Sequence, residues 1–291
     1  CTGRSAPRLI RSRAIYETSR NSCRFERAAV CRNTCAGPDR PCEPACRRTR
    51  VDGKPVAICR LKRVAADLKG GEVRAMIPRA KASNGKKVAC VGAGPASLTV
   101  ARDLAPLGYE VTVFDGEAKA GGFIRTQIPR FRLPESVIDE EMGYITDLGM
   151  EMRLGERIDS LGTLLEDDYD AIFVGTGAPR GRDLDVPGRQ DADRNIHIGI
   201  DWLSSVSFGH IERIGRRVIV LGGGNTAMDC CRTARRLGGE DVKVEVRSGY
   251  DEMKASPWEK EDAQHEDVEA EPDADGNGQT PILRGDQAKR P

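Results

Sequence analysis

The sequence predicts an α/β protein in which a parallel sheet wound by helices is built twice, behind a small, mostly helical, cysteine-rich segment. Three observations predict it. An apolar run, a glycine cluster and a helical pattern follow one another in "KVACVGAGPASLTVARDLAPLG" (87–108). The same design returns in "RVIVLGGGNTAMDCCRTARRLG" (217–238). The 32 glycines gather at such strand-to-helix junctions rather than spreading as a linker. Short strands alternating with helices of this length argue for a doubly wound parallel sheet in each unit.

Composition narrows the class. A chain of 291 residues has room for two ordinary domains, each with a core. Hydrophobic residues at 38% and charged residues at 31% suit a globular protein with some solvated stretches. No apolar run approaches the roughly 18 residues that a membrane span needs. A formal net charge of +1 and 4% aromatic residues give no reason to expect nucleic acid. Of ten cysteines, Cys31, Cys35, Cys42 and Cys46 fall within "CRNTCAGPDRPCEPAC"; the others are Cys1, Cys23, Cys59, Cys90 and the adjacent Cys230 and Cys231. With no secretory signal, and Cys90 placed mid-strand like an inert thiol, a reducing, cytoplasmic compartment is expected. The cluster is then reserved for metal rather than disulfides.

Element by element, residues 1–30 form an irregular basic segment, and a start at Cys1 reads as a truncated or disturbed end. Residues 31–80 hold the cysteine cluster and "PVAICRLKRVAADL", an amphipathic helix. The first unit, 81–188, opens with the strand "KVACVG", continues through a helix ended by Gly108, and adds the strands "EVTVFD" and "YDAIFVGTGA". The second unit, 189–258, repeats strand, triple-glycine turn, helix to Gly238 and the strand "VKVEVR". Residues 259–291 are acidic and then Gly- and Pro-containing, without a buried period, and are expected to be a disordered tail.

A strand that turns sharply into a helix aims the helix's unpaired N–H groups at one point, which attracts a pyrophosphate. In the first loop Gly92 permits the turn and Gly94 lets backbone approach the phosphates, the spacing of a Rossmann-like dinucleotide fingerprint. Ser97 stands at the third small position, where overpacking costs about 1–3 kcal/mol. The next strand ends at Asp115, 23 residues beyond Gly92, where a carboxylate can accept hydrogen bonds from a ribose. The second loop places Gly222, Gly224 and Ala227 at the same spacing, but Arg247 sits where the acid would be and Lys254 follows. Cations there suit the 2′-phosphate of NADP, which ranks above NAD. Opposite charges behind two loops imply two different dinucleotides: a flavin in the first unit and a nicotinamide in the second.

The segments "VGAGPASLTVARDLAPLGYEVTVFD", "AGGFIRTQIPRFRLP", "DAIFVGTGAPRGRDLDVPG" and "VIVLGGGNTAMDCCRTARRLGGEDVKVEVRSGYDEMKASP" together resemble the small subunit of glutamate synthase. The wider group of FAD- and NAD(P)H-dependent oxidoreductases includes the amino-terminal part of dihydropyrimidine dehydrogenase. The resemblance implies FAD contacts at Gly92, Ala93, Gly94, Pro95 and Ala96, at Asp115, at Gly121, Gly122 and Arg132, and at Thr176 and Gly177. It implies NADPH contacts at Gly222, Gly223, Gly224, Asn225 and Thr226, with Arg247, Ser248 and Lys254 around the 2′-phosphate. Cys35, Cys42 and Cys46 match ligands of 4Fe–4S clusters and Cys31 a neighbouring cysteine; a four-cysteine zinc site is the open alternative. Electrons would pass from NADPH through FAD to an electron-accepting partner subunit, the glutamate synthase large subunit or another redox protein. The family's Gly-Asp return segment near the flavin ring has no match after Glu261.

Two rivals stand beside this reading. A disulfide reductase would want a Cys-x-x-Cys pair facing the flavin, whereas adjacent Cys230 and Cys231 point to different helix faces. A non-catalytic nucleotide-binding remnant of the family would keep the loops without turnover. No catalytic residue is assigned, since hydride transfer between two positioned rings needs no acid or base.

Overall fold

Val88, Ala89, Cys90 and Val91 are buried in succession, as a parallel strand covered on both faces must be. The computed structural model describes residues 43, 45–68, 81–181, 183, 189–246 and 249–272. The chain divides into two compact units, Cys1–Arg125 with Arg130–Pro179, and Thr126–Pro129 with Arg180–Pro291. Among the described residues no helix is long and apolar enough to cross a membrane.

In the first unit, helix α1 (Ile58–Asp67) falls within the amphipathic stretch expected there. The sheet then begins with β1 (Lys87–Val91), α2 (Pro95–Leu104) and β2 (Glu110–Asp115). It continues with α3 (Glu135–Thr146), β3 (Glu151–Leu154), α4 (Leu161–Glu166) and β4 (Ala171–Val174). The four strands lie parallel in the order β3-β2-β1-β4. One face buries Val88, Cys90, Val111 and Val113 against Leu98 and Ala101 of α2 and Ile145 of α3. The opposite face buries Ala89, Val91 and Phe114 against Leu164 of α4. Winding reverses beside β1, so the carboxyl ends of β1 and β4 flank the crevice in which open α/β sheets bind ligands.

The second unit contains α5 (Gly199–Ser207), β5 (Arg217–Leu221), α6 (Asn225–Arg236), β6 (Asp241–Val246), α7 (Pro257–His265) and β7 (Glu269–Pro272). Its strands run parallel in the order β5-β6-β7. A core of Val242, Val244, Val246, Met228, Cys231, Trp202 and Leu203 fills one face.

The expected disordered tail over 259–291 is corrected as far as residue 272, because residues 257–265 are helix and 269–272 a paired strand; residues 273–291 lie outside the described residues. The acids that read as solvated are partnered. Arg232 on α6 reaches Glu259 at 2.8 Å, Asp262 at 3.1 Å and Glu266 at 2.9 Å. Burial pushes the Glu266 carboxyl up, but hydrogen bonds from Arg236 and Arg232 outweigh it and hold the group below its ordinary value. A sequence reading of charge sees polarity and misses the cations across the interface.

Candidate functional site

Three chain segments converge on the first glycine loop. Gly92 adopts φ +96°, and a Cβ there would stand 2.6 Å from the Gly175 carbonyl oxygen and 3.1 Å from the Thr176 Cα. Gly94 is the extended residue that caps α2, with Pro95 as the first helical residue. A Cβ on Gly94 would reach only van der Waals distance, 3.9 Å from the Gly122 Cα, so the cradle is open on that side. Gly122 itself approaches so closely that its own Cβ would lie 2.7 Å from the Gly94 Cα. The Gly121 N–H donates to the Ala93 carbonyl at 2.9 Å. Gly92, Ala93, Gly94, Gly121, Gly122 and Thr176 are thereby brought together, and Gly177 follows in the left-handed region at φ +67°.

The Asp115 carboxylate accepts hydrogen bonds from the Ala93 N–H and, at 2.8 Å, from the Glu117 N–H. A carboxylate offers about four acceptor positions, so it retains capacity for ribose hydroxyls. Sequence reasoning missed the residue that steadies the Gly121–Gly122 turn. Buried Arg125 donates to the Ala120 carbonyl at 2.6 Å, to Glu135 at 3.1 Å and to Asp139 at 2.6 Å. Gly175 is likewise missed: its role as the wall opposite Gly92 depends on the parallel pairing of β4 with β1. Arg132 is half-buried in the turn before α3, beside fully buried Leu133. Ala96 lies in the first turn of α2. Next to it Ser97 is 0% exposed, and its hydroxyl has no hydrogen-bond partner.

The second loop has the same frame and different walls. Gly222 turns at φ +126° and its N–H donates to the Glu245 carbonyl at 2.9 Å. A Cβ on Gly223 would meet Val246 at 2.9 Å and Met253 at 3.1 Å, which is why a third glycine stands there. Gly224 caps α6, and Asn225 and Thr226 open it with exposed side chains. The segment after β6 is moored to this loop twice: Ala255 N–H donates to the Gly223 carbonyl, and Ser256 N–H to Asn225 Oδ1, each at 2.8 Å. Between the buried Met253 and Ala255, Lys254 projects exposed. Arg247 and Ser248 lie outside the described residues.

Cys46 is half-buried, and the Val56 N–H donates to its Sγ at 3.5 Å. That bond, followed by one from the Arg48 N–H, holds the thiol below its ordinary 9.0, as suits a thiolate ligand. Its expected companions Cys31, Cys35 and Cys42 lie outside the described residues. Among the described residues no group of three or more metal-ligating side chains is assembled. Burial pushes Cys230 and Cys231 each up to about 12. Cys230 Sγ faces the Gly199 carbonyl and Cys231 Sγ the Met228 carbonyl, an inert pair rather than a redox one.

Two glycine loops, each at the carboxyl end of a parallel strand and the start of a helix, define a protein built to hold two dinucleotides. Residues 86–275 match the family model described as pyridine nucleotide-disulphide oxidoreductase, and the chain belongs to that family, whose cofactors are FAD and NAD(P)H. It is 36% identical over 248 residues to the NADPH-Fe(3+) oxidoreductase subunit beta of Geobacter sulfurreducens, a match covering 84% of this chain and 36% of that protein. It is 33% identical over 235 residues to the NAD-dependent dihydropyrimidine dehydrogenase subunit PreT of Salmonella typhimurium, covering 79% of this chain and 55% of that one. The chain therefore spans between about a third and just over half of these relatives. A solved 2-naphthoyl-CoA reductase shares the fold, with a TM-score of 0.53 and 16% identity, over 77% of this chain and 34% of that one. The expected oxidoreductase group is borne out at this level.

Proposed function

We propose that this chain draws electrons from NADPH at the second glycine loop, onto FAD held at the first, for delivery to a partner subunit. The observation that carries the reading is the unlike backing of two like loops: a carboxylate, Asp115, is tied into the first, whereas the exposed Lys254 precedes Ala255 and Ser256, whose N–H groups moor their segment to the second. Backbone at Gly92, Ala93, Gly94, Pro95 and Ala96 seats the FAD pyrophosphate, and Asp115 accepts from the adenosine ribose. Gly121 and Gly122, with Arg132, and the Thr176–Gly177 turn line the rest of that cradle. Gly222, Gly223, Gly224, Asn225 and Thr226 seat NADPH, whose 2′-phosphate meets Lys254, Arg247 and Ser248. When bound, the flavin supplies acceptance of hydride and release of single electrons. No side chain is assigned a proton.

Cys35, Cys42 and Cys46, with Cys31 beside them in sequence, would hold a 4Fe–4S-type centre and so supply the electron exit, a reading that the backbone N–H groups favouring thiolate at Cys46 support. Both relatives are named as subunits, which supports a separate electron acceptor. Their names point to different nucleotides, NADPH and NAD, so the choice of NADPH here rests on Lys254. The glutamate synthase large subunit is one acceptor of suitable chemistry among several.

Anaerobic titration of purified, FAD-loaded protein tests this. NADPH bleaches the flavin band, NADH does so only at much higher concentration, and Lys254→Ala weakens NADPH about tenfold while leaving NADH unchanged, as loss of one charge-assisted bond requires. Protein that stays colourless after incubation with FAD yet still binds NADPH would establish the nucleotide-binding remnant instead.

A further inference from the structure

The charges that back the two glycine loops are fixed in different ways. Asp115 is the last residue of β2, so the sheet itself places its carboxylate beside the Ala93 N–H. Lys254 lies beyond the end of β6 at Val246, on a segment outside the sheet. That segment is a strap tied at both ends. At its start, the Lys260 ammonium donates to the Tyr250 carbonyl at 3.1 Å and stands 4.3 Å from the centre of the Tyr250 ring. At its end, the Ala255 and Ser256 N–H groups are bound to the glycine loop. Met253, Ala255 and Ser256 are buried, so Lys254 alone among residues 253–256 projects outward.

Helix α7 governs both ends of the strap. Ser256 is its N-cap, Pro257 its first residue and Glu259 its third, so no slack separates strap from helix. Lys260, the next residue, is the group that holds Tyr250. One face of α6 holds α7 in turn. Asn225 and Arg232 are seven residues apart, two turns along the same face, and both reach across. Asn225 Oδ1 accepts from the Ser256 N–H at 2.8 Å. The buried Arg232 guanidinium meets Glu259, Asp262 and Glu266, carboxylates spaced three and four residues apart along α7 and its C-cap. A planar guanidinium that reads three carboxylates along a helix fixes the helix's rotation and slide, which non-directional apolar packing does not. Such a buried cluster adds little stability over apolar side chains of similar volume, which leaves orientation as what it can contribute.

We propose that Arg232 is a positioning residue for nucleotide choice: by fixing the rotation of α7 it fixes the strap, and so holds the Lys254 ammonium where the 2′-phosphate of the nucleotide meets it. Arg232 acts through α7 rather than on the nucleotide. The proposal rests on the reading of Lys254 given above.

Purified, FAD-loaded protein is titrated with NADP+ and with NAD+ by calorimetry, the oxidised forms leaving the flavin unreduced. Urea unfolding and hydrogen exchange at the Ala255 and Ser256 amides are followed beside it. Arg232→Met with Glu259→Leu replaces the buried pair by apolar side chains and is expected to keep the urea midpoint near that of the parent. It is expected to bind NADP+ about fivefold more weakly, part of what one charge-assisted bond supplies, with NAD+ unchanged and both amides exchanging faster. In a Lys254→Ala background the same two substitutions are expected to cost no further NADP+ affinity, because both changes act on one contact. A folded double variant that binds NADP+ as the parent does, or exchanges both amides at the parent's rate, would overturn the proposal. So would a loss that adds in full to that of Lys254→Ala, or that falls equally on NAD+. Should the double variant not fold, Asp262→Asn with Glu266→Gln, which spares the buried pair, decides by the same ratio: a loss of NADP+ over NAD+ upholds the proposal and an unchanged ratio overturns it. Lys254→Ala that leaves NADP+ binding unchanged refutes the reading of the second loop and the proposal with it. A silent double variant beside a responsive Lys254→Ala refutes the proposal alone.

Discussion

The two glycine loops share a strand–turn–helix frame, but one is enclosed by backbone and the other by side chains. Around Gly92 the neighbours are the carbonyl of Gly175 and the Cα of Thr176, held by the pairing of β4 with β1. Around Gly223 they are Val246 and Met253, which can rotate. The same spacing of small residues therefore carries unequal constraint, and which glycine is irreplaceable depends on what stands opposite it rather than on its place in the motif.

Replacing each glycine by alanine breaks or sharpens that contrast most. Gly92→Ala combines a strained left-handed φ with a collision against fixed backbone, an expected loss on the order of 4 kcal/mol together with FAD binding. Gly223→Ala displaces side chains from a permitted φ and is expected to cost about 1–2 kcal/mol. Urea unfolding of both variants checks the order; equal losses would mean that the walls do not matter. The next effect concerns what holds each unit together away from its loop. Arg232→Met leaves Glu259 buried without its cation, which is expected to destabilise the second unit by roughly 3 kcal/mol. Adding Glu259→Leu restores most of it, as a double-mutant cycle on urea midpoints would show. The smallest effect lies at the third fingerprint position. Ser97→Ala removes a buried hydroxyl with no partner and is expected to stabilise the first unit by about 1 kcal/mol. Ala227→Ser is expected to destabilise the second by a similar amount. Calorimetry that found Ser97→Ala destabilising would show that the hydroxyl has a partner in solution.

Sequence pattern exposed the parts of the fold that repeat and hid the parts that depend on distant partners. The strands at 87–91, 110–115 and 217–221 carry apolar runs that end in glycine or acid, and each is where the pattern puts it. β3 and β7, "EMRL" and "EAEP", are short and rich in charged residues and lie at the sheet edges among the described residues, so periodicity passes over them. Helix α7 was concealed by its own acids, whose partners sit on α6, about thirty residues earlier. At the site, the two fingerprints and Asp115 were readable as local spacing. Gly175, Arg125 and the Asn225–Ser256 bond were not, since each acquires its role only when segments far apart in sequence meet.

Three buried thiols among the described residues give each unit its own clock. Cys90 lies at the centre of β1, pushed up to about 11 by burial, while Cys230 and Cys231 lie within α6 of the other unit. A maleimide reaches none of them until its own unit opens. The rates at which they are alkylated therefore time the breathing of the two units separately, in one tube and without any engineered cysteine.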